Sequence, residues 1–208
     1  AWRTKLINCF AKGNVIGGNY VGGLVGSSET SALSQCYSEV NVRGNNQVGG
    51  LLGYSFYKIE DCYAIGNVKG NKYVGGLIGI KSFAHDMGYT TLNCYSRCNV
   101  IGDDVVGGLI GRLGNAPNST RTSNSLENCI SYSTVSGNSR VGSFVGIERN
   151  KNGSIINDYA IVNCKSLSNN LPLIKISPSF LLSTIDSSFL TTSSLLTFES
   201  CFFFIAFS

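Results

Sequence analysis

One hexapeptide pattern, Val-Gly-Gly-Leu followed by an aliphatic residue and Gly, recurs along this chain and limits what it can fold into. Four close copies and one weaker copy begin at five valines: Val21, Val48, Val74, Val106 and Val141. A cysteine precedes each of these valines by twelve residues: Cys9, Cys36, Cys62, Cys94 and Cys129. A fixed internal spacing joined by a variable connection indicates stacked copies of one supersecondary unit.

The positions between each cysteine and its valine repeat as well. Counted from the cysteine, the units share a small residue at the second position, Asn or Thr at the fifth, Val at the sixth and Gly at the eighth. Like residues that recur in this way predict an all-β chain, a parallel β-solenoid of about five to six coils whose strands stack about 4.8 Å apart. We expect the coil to be right-handed. Helical repeats are disfavoured because each glycine of the hexapeptide would cost about 1 kcal/mol inside a helix.

Two sets of repeated residues are predicted to form structural ladders along the solenoid. They are the cysteines Cys9, Cys36, Cys62, Cys94 and Cys129 and the glycines Gly23, Gly50, Gly76 and Gly108. Glycine columns are expected where the backbone has positive φ or where two backbones touch. Stacked cysteines point the same way, which is poor geometry for a disulfide. We therefore expect buried, reduced thiols that act as small core residues, with disulfides as the alternative.

The domain organisation follows the repeats. Residues 1–164 are predicted to form the solenoid, and residues 165–208, which contain no glycine, are predicted to form capping strands and an apolar tail. A degenerate sixth unit is expected to start at Asp158, with this aspartate in the place of the cysteine. Because the first unit begins in mid-repeat, we expect the sequence to be part of a longer chain.

Composition excludes several classes of protein. The net charge of +4 is spread along the chain without a run of Lys and Arg, so we expect no nucleic-acid partner. No apolar run approaches the roughly 20 residues that a membrane span requires. Gly is abundant, with 25 residues against 3 Pro, which favours tight turns or close backbone contacts over a helical structure.

No group of residues predicts catalysis, a metal site or a cofactor. Cys94 and Cys98 are spaced like a ligand pair for zinc, but the usual second pair is missing. His85 is followed by Asp86, which resembles a base and its orienting acid, yet no nucleophile is placed beside them, and a solvated loop is the better interpretation. Asp103 and Asp104 occupy a turn that offers too few oxygen ligands for calcium.

The residues that we expect to contact a ligand come from two places. Tyr20, Gln47, Tyr73, Val105 and Arg140 precede the five hexapeptides and form one column that can line an exposed stripe, or equally pack between coils. Phe83, His85 and Tyr89 belong to the chemically varied connection after the third hexapeptide. Longer connections are predicted to project as surface loops.

The hexapeptide, preceded by Asn-Cys-Tyr, a small residue and Asn-Val, resembles the GLUG repeat, which is found in bacterial cell-surface and secreted proteins. These include adhesin-like proteins and non-catalytic portions of some immunoglobulin A peptidases. The resemblance covers Leu6 to about Gly146. It implies a β-solenoid stalk or adhesin segment in an extracellular or cell-surface location, and it carries no catalytic residues.

These observations lead to one main hypothesis and two alternatives. The first is a non-catalytic structural and binding module, a stiff stalk whose loops contact a host protein or glycan, with no cofactor. The second is a polysaccharide-acting β-helix enzyme, which would need several carboxylates facing one cleft. The third is a non-functional fragment of a larger gene.

Overall fold

The computed structural model describes residues 4–29, 31–83, 90–115, 124–148 and 159–167, and these residues form strands and turns without a helix. Numbered in chain order, the strands make five coils and the start of a sixth. Coil one contains β1 (Thr4–Ile7), β2 (Phe10–Ile16), β3 (Asn19–Gly22) and β4 (Val25–Ser28). Coil two contains β5 (Ser31–Ser34), β6 (Tyr37–Arg43), β7 (Asn46–Gly49) and β8 (Leu52–Ser55).

The later coils repeat this order. Coil three contains β9 (Ile59–Glu60), β10 (Tyr63–Lys69), β11 (Lys72–Gly75) and β12 (Ile78–Phe83). Coil four contains β13 (Thr90–Leu92), β14 (Tyr95–Ile101), β15 (Asp104–Gly107) and β16 (Ile110–Asn115). Coil five contains β17 (Asn124–Glu127), β18 (Ile130–Ser131), β19 (Thr134–Ser136), β20 (Ser139–Gly142) and β21 (Val145–Glu148). The sixth coil begins with β22 (Tyr159–Val162) and β23 (Lys165–Ser166).

Corresponding strands of successive coils pair in parallel and build four sheets. Sheet A has the order β1-β5-β9-β13-β17-β22, and sheet B has the order β2-β6-β10-β14-β18-β23, with β19 also paired to β14. Sheet C runs β3-β7-β11-β15-β20, and sheet D runs β4-β8-β12-β16-β21. The register places the valine of each hexapeptide beside the next one, as in the pairs Val48–Val74 and Val74–Val106. The predicted all-β parallel solenoid is therefore confirmed.

The core runs along the axis and consists of the repeated apolar columns. Strand residues alternate between interior and exterior, so β6 and β14 bury every second side chain. Representative core residues are Leu33, Ile59, Leu126, Val42, Val68, Val100, Val48, Val74, Val106, Leu51, Leu77 and Leu109. Phe144, which replaces Leu in the weaker fifth hexapeptide, is also fully buried and keeps the column filled.

The residue before each cysteine makes a sharp turn between sheets A and B. Asn8, Gln35, Asp61, Asn93, Asn128 and Asn163 all have φ between 52° and 56°. Asn and Asp tolerate this left-handed conformation because their short polar side chains bond locally. The following cysteine turns inward, and its thiol donates to the carbonyl two residues earlier, as from Cys62 to Glu60 at 3.1 Å and from Cys94 to Leu92 at 3.1 Å.

The ladder glycines serve close backbone contact, the second of the two roles predicted for them. Their φ angles are not positive, but a Cβ on Gly23 would lie 2.2 Å from the carbonyl oxygen of Gly50. A Cβ on Gly50 would lie 2.1 Å from the carbonyl oxygen of Gly76 in the next coil. Any side chain at these positions would therefore push adjacent coils apart.

The structure corrects the expected start of the sixth unit. Strand β22 pairs with β17 so that Ile161 lies beside Leu126, and this register carries Cys164 into the cysteine column above Cys129. Asn163 has the left-handed φ of the turn before each cysteine, and Cys164 is fully buried. Asp158, which precedes the described strand, is not the counterpart of the cysteine. The prediction was wrong because Tyr-Ala follows Asp158 as it follows Cys62, which made Asp158 resemble the cysteine position of a unit.

Candidate functional site

The column of residues predicted to contact a ligand occupies the second position of each sheet C strand. Tyr20, Gln47, Tyr73, Val105 and Arg140 all adopt a left-handed backbone with φ between 53° and 59°. This conformation costs a non-glycine residue about 1 to 2 kcal/mol. The last glycine of each hexapeptide packs on this turn, since a Cβ on Gly53 would lie 2.6 Å from the carbonyl carbon of Tyr20. The fold thus requires a residue in the left-handed conformation before each hexapeptide together with a glycine at the end of the hexapeptide.

The column is not a continuous exposed stripe. Tyr20 is 48% exposed, whereas Val105 is completely buried. Gln47, Tyr73 and Arg140 are half-buried, and Oε1 of Gln47 has no hydrogen-bond partner in the described part of the chain. The expected stripe is therefore broken. Tyr20 and Tyr73 contact residues of sheet D, and Arg140 contacts Asp104 in the neighbouring strand of sheet C.

These contacts define a surface cluster, which we call the tyrosine–arginine patch. It consists of Tyr20, Tyr54, Phe56, Lys72, Tyr73, Asp104, Arg112 and Arg140. Sheets C and D supply these residues, except Phe56, which follows β8. Sequence analysis missed Tyr54, Phe56 and Arg112 because they lie at or after the variable ends of the sheet D strands, where no residue type repeats.

Aromatic rings form one end of the patch. The ring of Tyr54 makes edge contacts with Tyr20 at 5.8 Å and with Phe56 at 4.9 Å between centroids. Such T-shaped pairs are a preferred aromatic geometry. Burial raises the pKa of Tyr54, whose hydroxyl also bonds Ser82. Ile80 lies between Tyr54 and Arg112 in sheet D and is only 6% exposed, so it forms an apolar floor.

Cations surround Tyr73 at the other end. The Lys72 ammonium lies 5.0 Å from the centre of the Tyr73 ring, and the Arg112 guanidinium lies 5.6 Å from it. Both distances permit cation–π attraction. Arg140 donates through Nε to Asp104 at 2.6 Å and through a terminal nitrogen to the other carboxylate oxygen. The hydrogen bonds between these two side chains lower the pKa of Asp104 and raise the pKa of Arg140.

Among the described residues, three cations and the Asp104 carboxylate lie around Tyr73. Lys72 reaches Asp104 only at 3.8 Å, because Arg140 already engages both oxygens of this carboxylate. The charge of Glu29 also acts on Tyr54 at the aromatic end.

The loop contacts at Phe83, His85 and Tyr89 stay predictions. Phe83 ends β12, where the strand register is described but the side chain is not. His85 and Tyr89 lie outside the described residues. Asp103, which was interpreted as a turn residue, accepts a hydrogen bond from Asn138 at 2.7 Å and so belongs to an exterior ladder.

A second aromatic column follows the cysteines by one position, as the repeated spacing predicts. Phe10, Tyr37, Tyr63 and Tyr95 stack on the outside of sheet B with centroid separations of 5.2, 4.8 and 4.8 Å and interplanar angles of at most 8°. Because each ring covers the face of its neighbour, the ladder presents only edges to solvent. Beside it, Asn67 donates to Asn41 at 2.7 Å in an amide ladder. We therefore assign both ladders to coil-to-coil cohesion.

The thiols lie in the core. The seven cysteines in the described ranges form no disulfide, and all except Cys9 are buried. Burial raises the pKa of Cys94 well above its ordinary value and raises the pKa of Cys98 to about 12. The Cys98 thiol bonds the carbonyl oxygen of Gly76 at 3.3 Å. Within the described part of the chain, no three His, Cys, Asp or Glu side chains converge on a position that would hold a metal ion.

Thiol burial leads to a labelling prediction. We expect a short pulse of iodoacetamide on the native chain to alkylate Cys9 at least about tenfold faster than Cys94 and Cys98, because alkylation needs an accessible thiolate. Peptide mapping by mass spectrometry measures each site. The same pulse in urea is the control and should label these three thiols at similar rates; equal labelling in the native chain would contradict the buried ladder.

Comparison with known families agrees with the repeated geometry. Residues 17–43 and 44–69 match the family model of the GLUG motif as two adjacent repeats. Residues 17–69 are thus similar to two consecutive GLUG repeats. The three other hexapeptides stack in the same register as the matched ones, so the same coil geometry continues through coil five. No curated protein and no solved structure matches the chain.

The repeated hexapeptide thus has a physical explanation. The two adjacent glycines admit the neighbouring backbones, the Leu fills the core, and the last glycine accommodates the left-handed residue. No helix of the described residues has the length and apolar character needed to cross a membrane.

Proposed function

We propose that this chain is a non-catalytic structural and binding module of a secreted or cell-surface adhesin-like protein, in which a stiff solenoid presents a ligand-contacting surface. The observation that carries this proposal is the unbroken stack of four parallel sheets through five coils. GLUG repeats support a role as a repeat module of a larger protein.

Stiffness follows from how each coil is held. An inner coil pairs on both sides in all four sheets, as β11 does with β7 and β15. Side-chain ladders add cohesion outside the backbone, through Asn67 to Asn41 at 2.7 Å and through the stacked rings of Tyr37 and Tyr63. Bending the rod would stretch these bonds along one side, so the module suits a spacer.

An extracellular location is compatible with the thiol geometry. Disulfides form in oxidising compartments where thiols can meet with suitable Cβ geometry. The stacked cysteines instead donate to backbone carbonyls within the core, as Cys36 does to Ser34 at 3.3 Å. Oxidants therefore have little access to them, and the core keeps its packing without crosslinks.

An adhesion assay tests the proposal. Beads coated with the full chain are expected to be retained on cultured epithelial cells and on mucin more strongly than beads coated with albumin. A parallel assay for reducing ends on the same glycans is expected to show no turnover. Background-level retention would contradict a binding module, and sustained release of reducing ends would replace it with the polysaccharide-acting enzyme.

A further inference from the structure

We propose that two copies of this chain associate head to head through the strands of coil one, related by a two-fold axis that passes through the middle of β2. The inference concerns assembly and goes beyond the binding role proposed above. It begins from an open edge, because within the described part of the chain β1, β2, β3 and β4 each pair with coil two alone. A row of unpaired strand edges is a template for pairing with another chain.

The core is only partly covered at this edge. Val15 is half-buried, whereas its counterpart Val42 in coil two is 2% exposed. Leu24 is also half-buried, whereas Leu51 in the next hexapeptide is completely buried. A second coil placed on this side would bury these apolar side chains, which favours association. The edge therefore offers both strand pairing and apolar burial to a partner.

The strand lengths make this edge self-complementary. Strand β2 has seven residues centred on Gly13, and the strands on either side of it, β1 and β3, have four residues each. β1 ends three residues before β2 begins, and β3 begins three residues after β2 ends. A two-fold axis through Gly13 pairs β2 with its own copy in antiparallel orientation and places β1 beside β3 of the partner. Each of these strands thus meets one of equal length, as an isologous interface requires.

The register brings exposed apolar side chains together. Antiparallel pairing centred on Gly13 sets Phe10 opposite Ile16 of the partner subunit. These two side chains are 58% and 81% exposed in the single chain. Pairs of an aromatic and a β-branched residue across antiparallel strands are stabilising. The symmetry forms this pair twice, so one contact contributes at both ends of β2.

The centre of β2 leaves room for a second backbone. A Cβ on Gly13 would meet nothing within 4 Å, and glycine inside a strand often marks a place where another backbone approaches closely. Lysine on an edge strand usually opposes such pairing. Lys12 instead directs its ammonium toward coil two, where it forms an ion pair with Glu39 at 2.7 Å. Its charge is therefore paired within its own chain.

The symmetry also predicts where association stops. A two-fold contact uses the same surface on both chains and closes at a dimer, whereas a head-to-tail contact uses two different surfaces and builds open polymers. Sedimentation equilibrium of the full chain at neutral pH under reducing conditions distinguishes these cases. We expect a monomer–dimer equilibrium without larger species. A dimer would present the surface of the proposed binding module twice, which raises avidity.

Replacing Ile16 by Lys tests the interface. This variant places an ammonium opposite Phe10 of the partner subunit twice in each dimer, so we expect dimerisation at least about tenfold weaker. Ile16 is 81% exposed, and circular dichroism should therefore show that the fold is kept. Sedimentation equilibrium measures the dissociation constant of both proteins.

Ile101→Lys is the matched control. Ile101 occupies the same column as Ile16, three coils further along sheet B, and is 40% exposed. Its strand, β14, pairs on both sides and lies away from the coil-one edge. The same substitution there should leave the dissociation constant within about twofold of that of the unmodified chain.

Hydrogen exchange tests the pairing of β2 without a substitution. The amide of Gly17 donates to Arg43 in coil two at 2.9 Å. Because alternate residues of a parallel strand bond to opposite neighbours, the amides of Lys12, Asn14 and Ile16 face the open edge. We expect these amides to exchange at least about tenfold more slowly at concentrations where the dimer predominates than in the monomer. Amides of β10, which pairs on both sides, should not change.

Four results would overturn the inference. They are a monomer at all concentrations, open polymers in place of a dimer, an equal loss of association in Ile16→Lys and Ile101→Lys, and exchange of the β2 amides that does not depend on concentration.

Discussion

Replacing Lys81 by Met is expected to raise the free energy of unfolding by roughly 1 to 4 kcal/mol at neutral pH. Lys81 is completely buried, and desolvation lowers its pKa from 10.5 to about 7. This difference corresponds to about 5 kcal/mol against burying the charged form. The Lys81 ammonium donates to the carbonyl oxygen of Tyr57 and makes a further contact, and the loss of these interactions cancels part of this gain. Leu113 occupies the same column in the next coil, so an apolar chain fits there.

The same substitution should remove a pH dependence. Between about pH 7 and 10.5 the unfolded chain holds a proton on Lys81 that the native chain has released, so the contribution of Lys81 to the stability of the unmodified chain rises with pH in this window. Below about pH 7 Lys81 is protonated in both the native and the unfolded chain, so the free-energy cost of burying its charge does not change with pH. Buried thiols such as Cys94 and Cys98 act in the opposite direction, because their pKa values are raised. The difference in the free energy of unfolding between Lys81→Met and the unmodified chain therefore isolates the titration of Lys81.

Urea unfolding of both proteins under reducing conditions, from neutral to mildly alkaline pH, measures this effect. The stability advantage of Lys81→Met should shrink steadily as pH rises. Lys58→Met is the matched control, because Lys58 is 44% exposed and should change stability by less than about 1 kcal/mol. A Lys81→Met protein that is less stable than the unmodified chain at neutral pH would contradict the buried-amine account.

Replacing Gly76 by Ala is expected to lower the free energy of unfolding by about 3 kcal/mol or more. A Cβ at this position would lie 2.1 Å from the carbonyl oxygen of Gly108 and 3.0 Å from the Cβ of Ser96. The obstruction is backbone from the next coil, which cannot move without breaking the ladder in which Gly76 N–H donates to Gly107 at 3.2 Å. Overpacking of this kind typically costs about 1 to 3 kcal/mol even where side chains alone must yield.

Gly18→Ala is the matched control for this prediction. A Cβ on Gly18 meets nothing within 4 Å, and its φ is not in the left-handed region. The control should therefore change stability by no more than about 0.5 to 1 kcal/mol, in the stabilising direction. Thermal melts should separate the two variants by roughly 6 to 12 °C for a chain of this size. Similar melting temperatures would contradict the requirement for glycine at the hexapeptide.

The sequence by itself determined the solenoid, its core columns and the register of its first five coils. Strand pairing in a stacked ribbon places equivalent residues beside each other, so a strict spacing from Cys62 to Val74 carries the register. The sixth coil was placed wrongly because its hexapeptide is missing and only Asn163-Cys164 carries the signal. In coils one to five the repeated spacing was sufficient to predict which residues lie beside each other.

Only the tertiary structure decided the left-handed turn at Tyr20 and its counterparts, the burial of Lys81 and the composition of the tyrosine–arginine patch. Backbone φ at Tyr73 depends on how the final glycine of the next coil packs against it, which residue type does not reveal. Lys81 occupies a column whose neighbours are Ser55 and Leu113, so no repeated residue marked it as interior. Arg112 meets Tyr73 from another sheet and coil. The physical reason is that these contacts join residues outside the repeated pattern. Which side chains meet there is decided only when the coils stack on one another.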